Sequence, residues 1–261
     1  MRRLIAFPCA GEQLIGSLDE ARGTTGLLIV SGGNEMRAGA GRTMAHLAQD
    51  LAAAGVPVFR FDRRGVGDSS GKNESYATSG PDVAAAAATF QAETGIRRLI
   101  AFGNCDAATA LAQFHSVAGI DALVLANPWC DAGAGDALPP AAAVRERYRS
   151  KLRQPGEWGR LLTGGVDLTK LGKGLARVIA SRPTPNLIAQ AMADALIASQ
   201  IPTRILLSQG DNTAIAFRDA WTRIKDRPPV EILHVESGGH GFVTPADRQW
   251  LRDRLLEVCA P

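Results

Sequence analysis

Apolar residues in this chain fall into short continuous runs, and these alternate with segments of helical spacing. The runs at 26–30, 56–61, 99–102, 122–126, 203–208 and 230–235 are too short for helices and carry few polar breaks. Such runs predict strands buried on both faces of a sheet. Between them, 42–54 places Met44, Leu47, Ala48 and Leu51 at helical spacing, with Gly55 in the C′ role. Pro81 and Asp82 open an alanine-rich helix to about Thr94, and 245–258 reads as a closing helix. Residues 3–6 and 13–17 predict an amino-terminal hairpin turning at Gly11-Glu12. Strands alternating with helices predict an α/β architecture: a mostly parallel central sheet with helices on both faces. The rhythm breaks from about Cys130 to Gln200, where helical stretches are punctuated by Pro139-Pro140, Pro155-Gly156 and Gly164-Gly165. This predicts a helical cap at 130–200 inserted between core segments 1–129 and 201–261.

Composition narrows the function classes. The 261 residues suit one large domain with an insertion, and 46% hydrophobic content supports a sizeable core. Twenty-nine basic against 26 acidic residues give +3, too balanced for a nucleic-acid or membrane-surface partner. The basic cluster at 145–153 reads as the solvated face of a helix. Cys9, Cys105, Cys130 and Cys259 lack metal-ligand spacing, and no G-x-x-x-x-G-K-[ST] occurs. No metal or organic cofactor is therefore expected. Arg2 and Arg3 are not followed by a sustained apolar core, so a signal peptide is not expected; nor is a membrane span, which needs roughly 18 apolar residues. A cytoplasmic, reducing setting is the expectation, and it suits a free thiol.

The chemistry centres on Gly103-Asn104-Cys105-Asp106-Ala107, where a buried strand stops and small helix-favouring residues begin. It resembles the nucleophile elbow of α/β-hydrolases, with G-x-S-x-G altered to Gly103-x-Cys105-x-Ala107. The elbow tolerates only small residues two positions before and after the nucleophile, and the following helix start favours a thiolate. A thiol needs a base, and the base needs a partner to fix its tautomer. His46 and His115 fall in helices and His234 in a strand. Only His240 sits on a small-residue loop, Ser237-Gly238-Gly239-His240-Gly241, after the last strand. The α/β-hydrolase order of nucleophile, acid, histidine then selects Asp211, just past the 203–208 strand, over Asp219 and Asp226. One oxyanion donor is expected from the Asp106 N–H and a second from Gly33 or Asn34 in the loop after the 26–30 strand. The Asp106 carboxylate must point away or be paired, or it would raise the thiol's pKa. Trp129, Cys130 and Trp158, at or inside the cap, are candidate pocket residues.

The resemblance to the α/β-hydrolase superfamily extends to Asp62-Arg63-Arg64-Gly65-Val66-Gly67-Asp68-Ser69, similar to its D-x-R-G-x-G-x-S loop. More narrowly, the chain resembles the type 1 hydrolases associated with the exosortase A system. It shares their G-x-C-D-x-A elbow, an acid stretch at Gly210-Asp211-Asn212-Thr213-Ala214 and a basic, tryptophan-containing cap at 148–174. It departs from them at Asn104 and lacks their His-Gly pair in the oxyanion loop. The resemblance implies a cytoplasmic hydrolase encoded with exopolysaccharide and protein-sorting genes. A cysteine elbow also resembles dienelactone hydrolases and polyhydroxyalkanoate synthases. The expected partner is a small acyl ester or thioester. Acyl transfer to another acceptor, and a non-catalytic binding protein of the same fold, are the alternatives.

Overall fold

The structure is a computed structural model that describes residues 1–130, 185–237 and 239–260. Eight strands form one sheet in the order β1-β2-β4-β3-β5-β6-β7-β8. They are β1 (Arg2–Cys9), β2 (Glu12–Asp19), β3 (Thr25–Val30), β4 (Val58–Phe61), β5 (Arg98–Asn104), β6 (Ala122–Ala126), β7 (Thr203–Ser208) and β8 (Glu231–Val235). Strand β2 pairs antiparallel with β1 and β4, and the remaining neighbours pair parallel. The helices among the described residues are α1 (Thr43–Ala53), α2 (Gly80–Thr94), α3 (Asp106–Phe114), α4 (Leu187–Ser199), α5 (Asn212–Trp221) and α6 (Pro245–Cys259).

The continuous apolar strands serve two cores. In β5, Leu99 and Ala101 face the cluster under α2, α3, α4 and α5, whereas Ile100 and Phe102 face the cluster under α1 and α6. Strand β3 divides likewise, Leu28 and Val30 to one side, Leu27 and Ile29 to the other. Gly26 is required where α2 crosses, because a Cβ there would lie 2.7 Å from the Phe90 ring.

One boundary differs from the expectation. The first hairpin turns one residue earlier, at Ala10-Gly11, with φ of 48° and 84°. Two successive left-handed residues match the twist of the flanking strands, so the ladder extends to Cys9↔Glu12. Of the segment expected as a cap, 131–184 lies outside the described residues, and with it Trp158, the basic cluster and the 148–174 match. Its described end forms α4, whose Ala189, Met192, Ala193 and Leu196 enter the same core cluster as Leu111 of α3 and Leu125 of β6. This part covers the sheet between β6 and β7.

Candidate active site

Cys105 occupies the turn between β5 and α3 with φ 62° and ψ −129°. A non-glycine residue there costs on the order of 1–3 kcal/mol, so surrounding bonds must impose it. Cys105 N–H donates to Ala126 O at 3.0 Å, and Cys105 O accepts from Trp129 N at 3.1 Å and Ala108 N at 3.1 Å. Helix α3 then passes so close to the strand that a Cβ on Gly103 would lie 2.9 Å from the Ala107 backbone. The glycine expected two residues before Cys105 is thus sterically required.

His240 and Asp211 reach Cys105 from the ends of β8 and β7. His240 Nδ1 lies 3.0 Å from Asp211 Oδ2, and since an ionised carboxylate only accepts, Nδ1 carries the proton. The same Asp211 oxygen accepts from Ala214 N at 3.1 Å, capping α5. Asp211 is 7% exposed. The Asp211 bond first, and the Cys105 side chain second, push His240 up to about 10 against the opposing effect of burial. The direction of that shift favours the protonated imidazole beside the Asp211 carboxylate. His115 is buried against Leu111 O and Ala112 O, His234 lies on edge strand β8, and His46 is exposed on α1.

Three polar residues missed at the sequence level fasten the histidine loop. Asn104 Nδ2, from the residue preceding Cys105, donates to His240 O at 3.0 Å. Asn127 Nδ2, past the end of β6, donates to the same oxygen at 3.2 Å. Asn127 Oδ1 accepts from Ser208 N at 2.9 Å, and Ser208 Oγ donates to Gly239 O at 3.2 Å. Asn127 and Ser208 are fully buried. Polar residues terminating apolar strands at one sheet edge were the available signal.

The opposite flank is built on the loop after β3. Asp106 Oδ1 accepts from Gly33 N at 2.6 Å, and Oδ2 lies 3.4 Å from Arg63 Nη2. The carboxylate is therefore paired, as the sequence demanded, and its partner is one of the expected oxyanion donors. Asn34 Oδ1 accepts from Asn73 Nδ2 at 2.8 Å, which leaves the Asn34 amide nitrogen facing away from Asn73. The whole loop is tied to the exit of β4. Asp62 accepts from Arg37 N at 2.6 Å and ion-pairs its guanidinium, and Arg60 Nη1 donates to Arg37 O at 2.7 Å. Asp62 Oδ2 also fills the space a Cβ on Gly67 would need, which explains the second glycine of the Asp62–Ser69 stretch.

Of the pocket candidates, Trp129 is half-buried and meets Tyr76 edge-on, ring centroids 5.5 Å apart. Tyr76, from the turn before α2, is raised in pKa by burial and then by the Asp106 charge, and the pair borders the elbow through Trp129, whose N–H donates to Cys105 O. Cys130 is 2% exposed in the core cluster. Among the described residues, no three His, Cys, Asp or Glu side chains converge to hold a metal ion, and no helix is long and apolar enough to cross a membrane.

Comparison with known proteins adds fold and family. No curated protein sequence matches the chain. Among solved structures, the Pyrococcus furiosus esterase Pf2001 is 17% identical with a TM-score of 0.61, covering 98% of this chain and 90% of that one. The alpha/beta hydrolase GrgF from Penicillium sp. sh18 is 17% identical at 0.64, covering 99% and 98%. A thioesterase domain from the curacin biosynthetic pathway is 16% identical at 0.57, covering 98% and 99%. At these identities the likeness is one of fold, and it identifies the α/β-hydrolase fold expected from the elbow. The profile of the alpha/beta hydrolase family matches residues 27–254, and the chain belongs to that family.

Proposed function

We propose that this protein hydrolyses a carboxylic ester or thioester through Cys105, His240 and Asp211. The observation that carries the reading is His240, with Nδ1 3.0 Å from Asp211 Oδ2 and its backbone carbonyl held at 3.0 Å by Asn104, the residue before Cys105. His240, pushed up to about 10 chiefly by its bond to Asp211, supplies a proton donor and acceptor on the loop facing the elbow. An esterase and a thioesterase domain among the structural neighbours are consistent with that substrate class.

In the reaction, the thiolate attacks the acyl carbonyl and forms a carbon–sulfur bond, and the carbonyl electron pair moves to oxygen. The Asp106 N–H, at the open start of α3, and a donor from Gly33–Asn34 stabilise that oxyanion. Collapse expels the alcohol or thiol, which takes its proton from His240. Neutral His240 then removes a proton from water as it attacks the acyl-enzyme. The acid leaves, the proton remains on the imidazole and the thiolate is restored. Asp211 keeps the imidazole in one tautomer and orientation throughout. Trp129, which follows β6 and meets Tyr76 edge-on, borders the acyl-binding side of the elbow. The elbow and acid stretch support a cytoplasmic role beside exopolysaccharide and exosortase genes.

The deciding experiment is intact mass after brief exposure to a panel of acyl thioesters and activated esters, wild type beside Cys105→Ala. An acyl adduct on the wild type alone is expected. An equal adduct, or equal turnover, on Cys105→Ala would overturn the proposal.

A further inference from the structure

Acyl transfer creates a negative charge on the loop after β3, yet in the resting structure a negative charge already sits there. Gly33 N–H donates to Asp106 Oδ1 at 2.6 Å. That oxygen also borders the nucleophile. A Cβ placed on Gly32 would lie 2.7 Å from Asp106 Oδ1 and 3.3 Å from Cys105 Cβ. The other carboxylate oxygen makes only a long contact, 3.4 Å, with Arg63 Nη2, a nitrogen that already donates to Gly33 O at 2.7 Å. Arg63 is 3% exposed, and its Nη1 is buried without a partner. Buried donors are rarely left unused, so this guanidinium has capacity for a closer anion.

We propose that the Asp106 carboxylate is a displaceable occupant of the oxyanion loop, moved from Gly33 N–H onto Arg63 when an acyl carbonyl enters. The inference rests on Cys105 being the nucleophile. Two anions cannot share one N–H donor, so acylation requires the carboxylate to leave. The energy for that displacement must come from the acyl chain, because binding of non-reacting parts of a substrate drives reorganisation at the reacting centre. The Tyr76–Trp129 pair beside the elbow offers an apolar surface for such a chain. Asp106 thereby selects extended acyl groups over acetyl.

The test compares wild type, Asp106→Ala and Asp106→Asn. Acylation by p-nitrophenyl acetate and by p-nitrophenyl decanoate is each divided by the rate of alkylation by iodoacetamide. Alkylation uses the same thiolate but forms no oxyanion, so the ratio removes any change in thiol reactivity. Asp106→Ala is expected to raise the acetate ratio about tenfold and the decanoate ratio by less than about threefold, a fraction of what a whole oxyanion donor supplies. Should Asp106→Ala not fold, Asp106→Asn keeps an acceptor, drops the charge and raises the acetate ratio to a smaller extent. An unchanged or lower acetate ratio, with acyl adducts still formed, overturns this proposal alone. Equal gains for both esters overturn the selection by acyl length. Alkylation of Cys105 without an acyl adduct on any of the chains overturns the nucleophile assignment and this proposal together.

Discussion

Asn127 Nδ2 donates to the backbone carbonyl of His240 at 3.2 Å, across 113 residues of sequence. Asn104, next to Cys105, donates to the same oxygen. His240 is therefore registered to the elbow through its backbone. Asn127 has φ 40°, a conformation asparagine tolerates better than alanine. Replacement by glycine keeps the backbone and removes the clamp. Asn127→Gly is expected to lower kcat for ester turnover about tenfold, with KM nearly unchanged, and to lose about 1–3 kcal/mol of stability as the Ser208 N–H loses its acceptor. Asn127→Ala should lose roughly 1–2 kcal/mol more from backbone strain. Steady-state kinetics with urea unfolding would check this; an unchanged kcat in Asn127→Gly would remove the positioning role.

The elevated His240 sets a pH dependence with a definite sign. Its folded value of about 10 lies above the ordinary histidine value, so the group stabilises the fold fully below the unfolded value of about 6.5. That contribution is lost as pH rises from there through about 10. Asp211→Asn keeps a helix-capping side chain while removing the charge that raises His240. The Tm gap between wild type and Asp211→Asn should therefore be widest near pH 6 and narrow towards pH 10. Acylation in the wild type should decline near 10 as the imidazolium is lost, and at lower pH in the variant. A Tm gap constant with pH would refute this assignment of the proton.

Much of this was legible because backbone demands leave marks on sequence. Gly103 and Ala107 betray an elbow too tight for larger residues, and the small-residue loop around His240 separates it from histidines locked in helices or a strand. Continuous apolar runs told of a sheet covered on both faces. What escaped depended on pairings distant in sequence. Asn127 and Ser208 look like ordinary strand-end polar residues until β6 and β7 lie side by side. Arg63 falls inside a recognisable loop stretch, yet nothing local indicates that it reaches Asp106. The engagement of Gly33 by Asp106 also required the β3 loop and the elbow in one frame, so spacing alone left Gly33 and Asn34 open.

The strain at Cys105 is measurable on its own. With φ 62°, the nucleophile position suits glycine better than any residue bearing a Cβ. Cys105→Gly should be more stable than Cys105→Ala by about 1 kcal/mol, the lower end of the cost of such a conformation. Gly103→Ala should act in the opposite sense, because its methyl would meet the Ala107 backbone at 2.9 Å. A loss of about 1–3 kcal/mol is expected there. Thermal unfolding of the three variants provides the comparison, and equal Tm values for Cys105→Gly and Cys105→Ala would mean that no strain is held at the elbow.

Asp62 tests whether the β3 loop is held from β4. Its carboxylate is fully buried, accepts from Arg37 N at 2.6 Å and Asp68 N at 3.2 Å, and ion-pairs the Arg37 guanidinium. Truncation to alanine strands a largely buried cation and frees two backbone donors, so Asp62→Ala should lose about 3 kcal/mol, the range for breaking a buried pair. Arg37 keeps its contact to exposed Asp68 at 3.0 Å, which limits the loss. The functional consequence follows from what the loop carries. Cys105 is held by Ala126, Trp129 and Ala108, none of which touches Asp62, so iodoacetamide should alkylate it at nearly the wild-type rate. Acylation by an activated ester, which needs donors on the β3 loop, should fall about tenfold or more. Parallel loss of both rates in a folded Asp62→Ala protein would show instead that Asp62 supports the elbow itself.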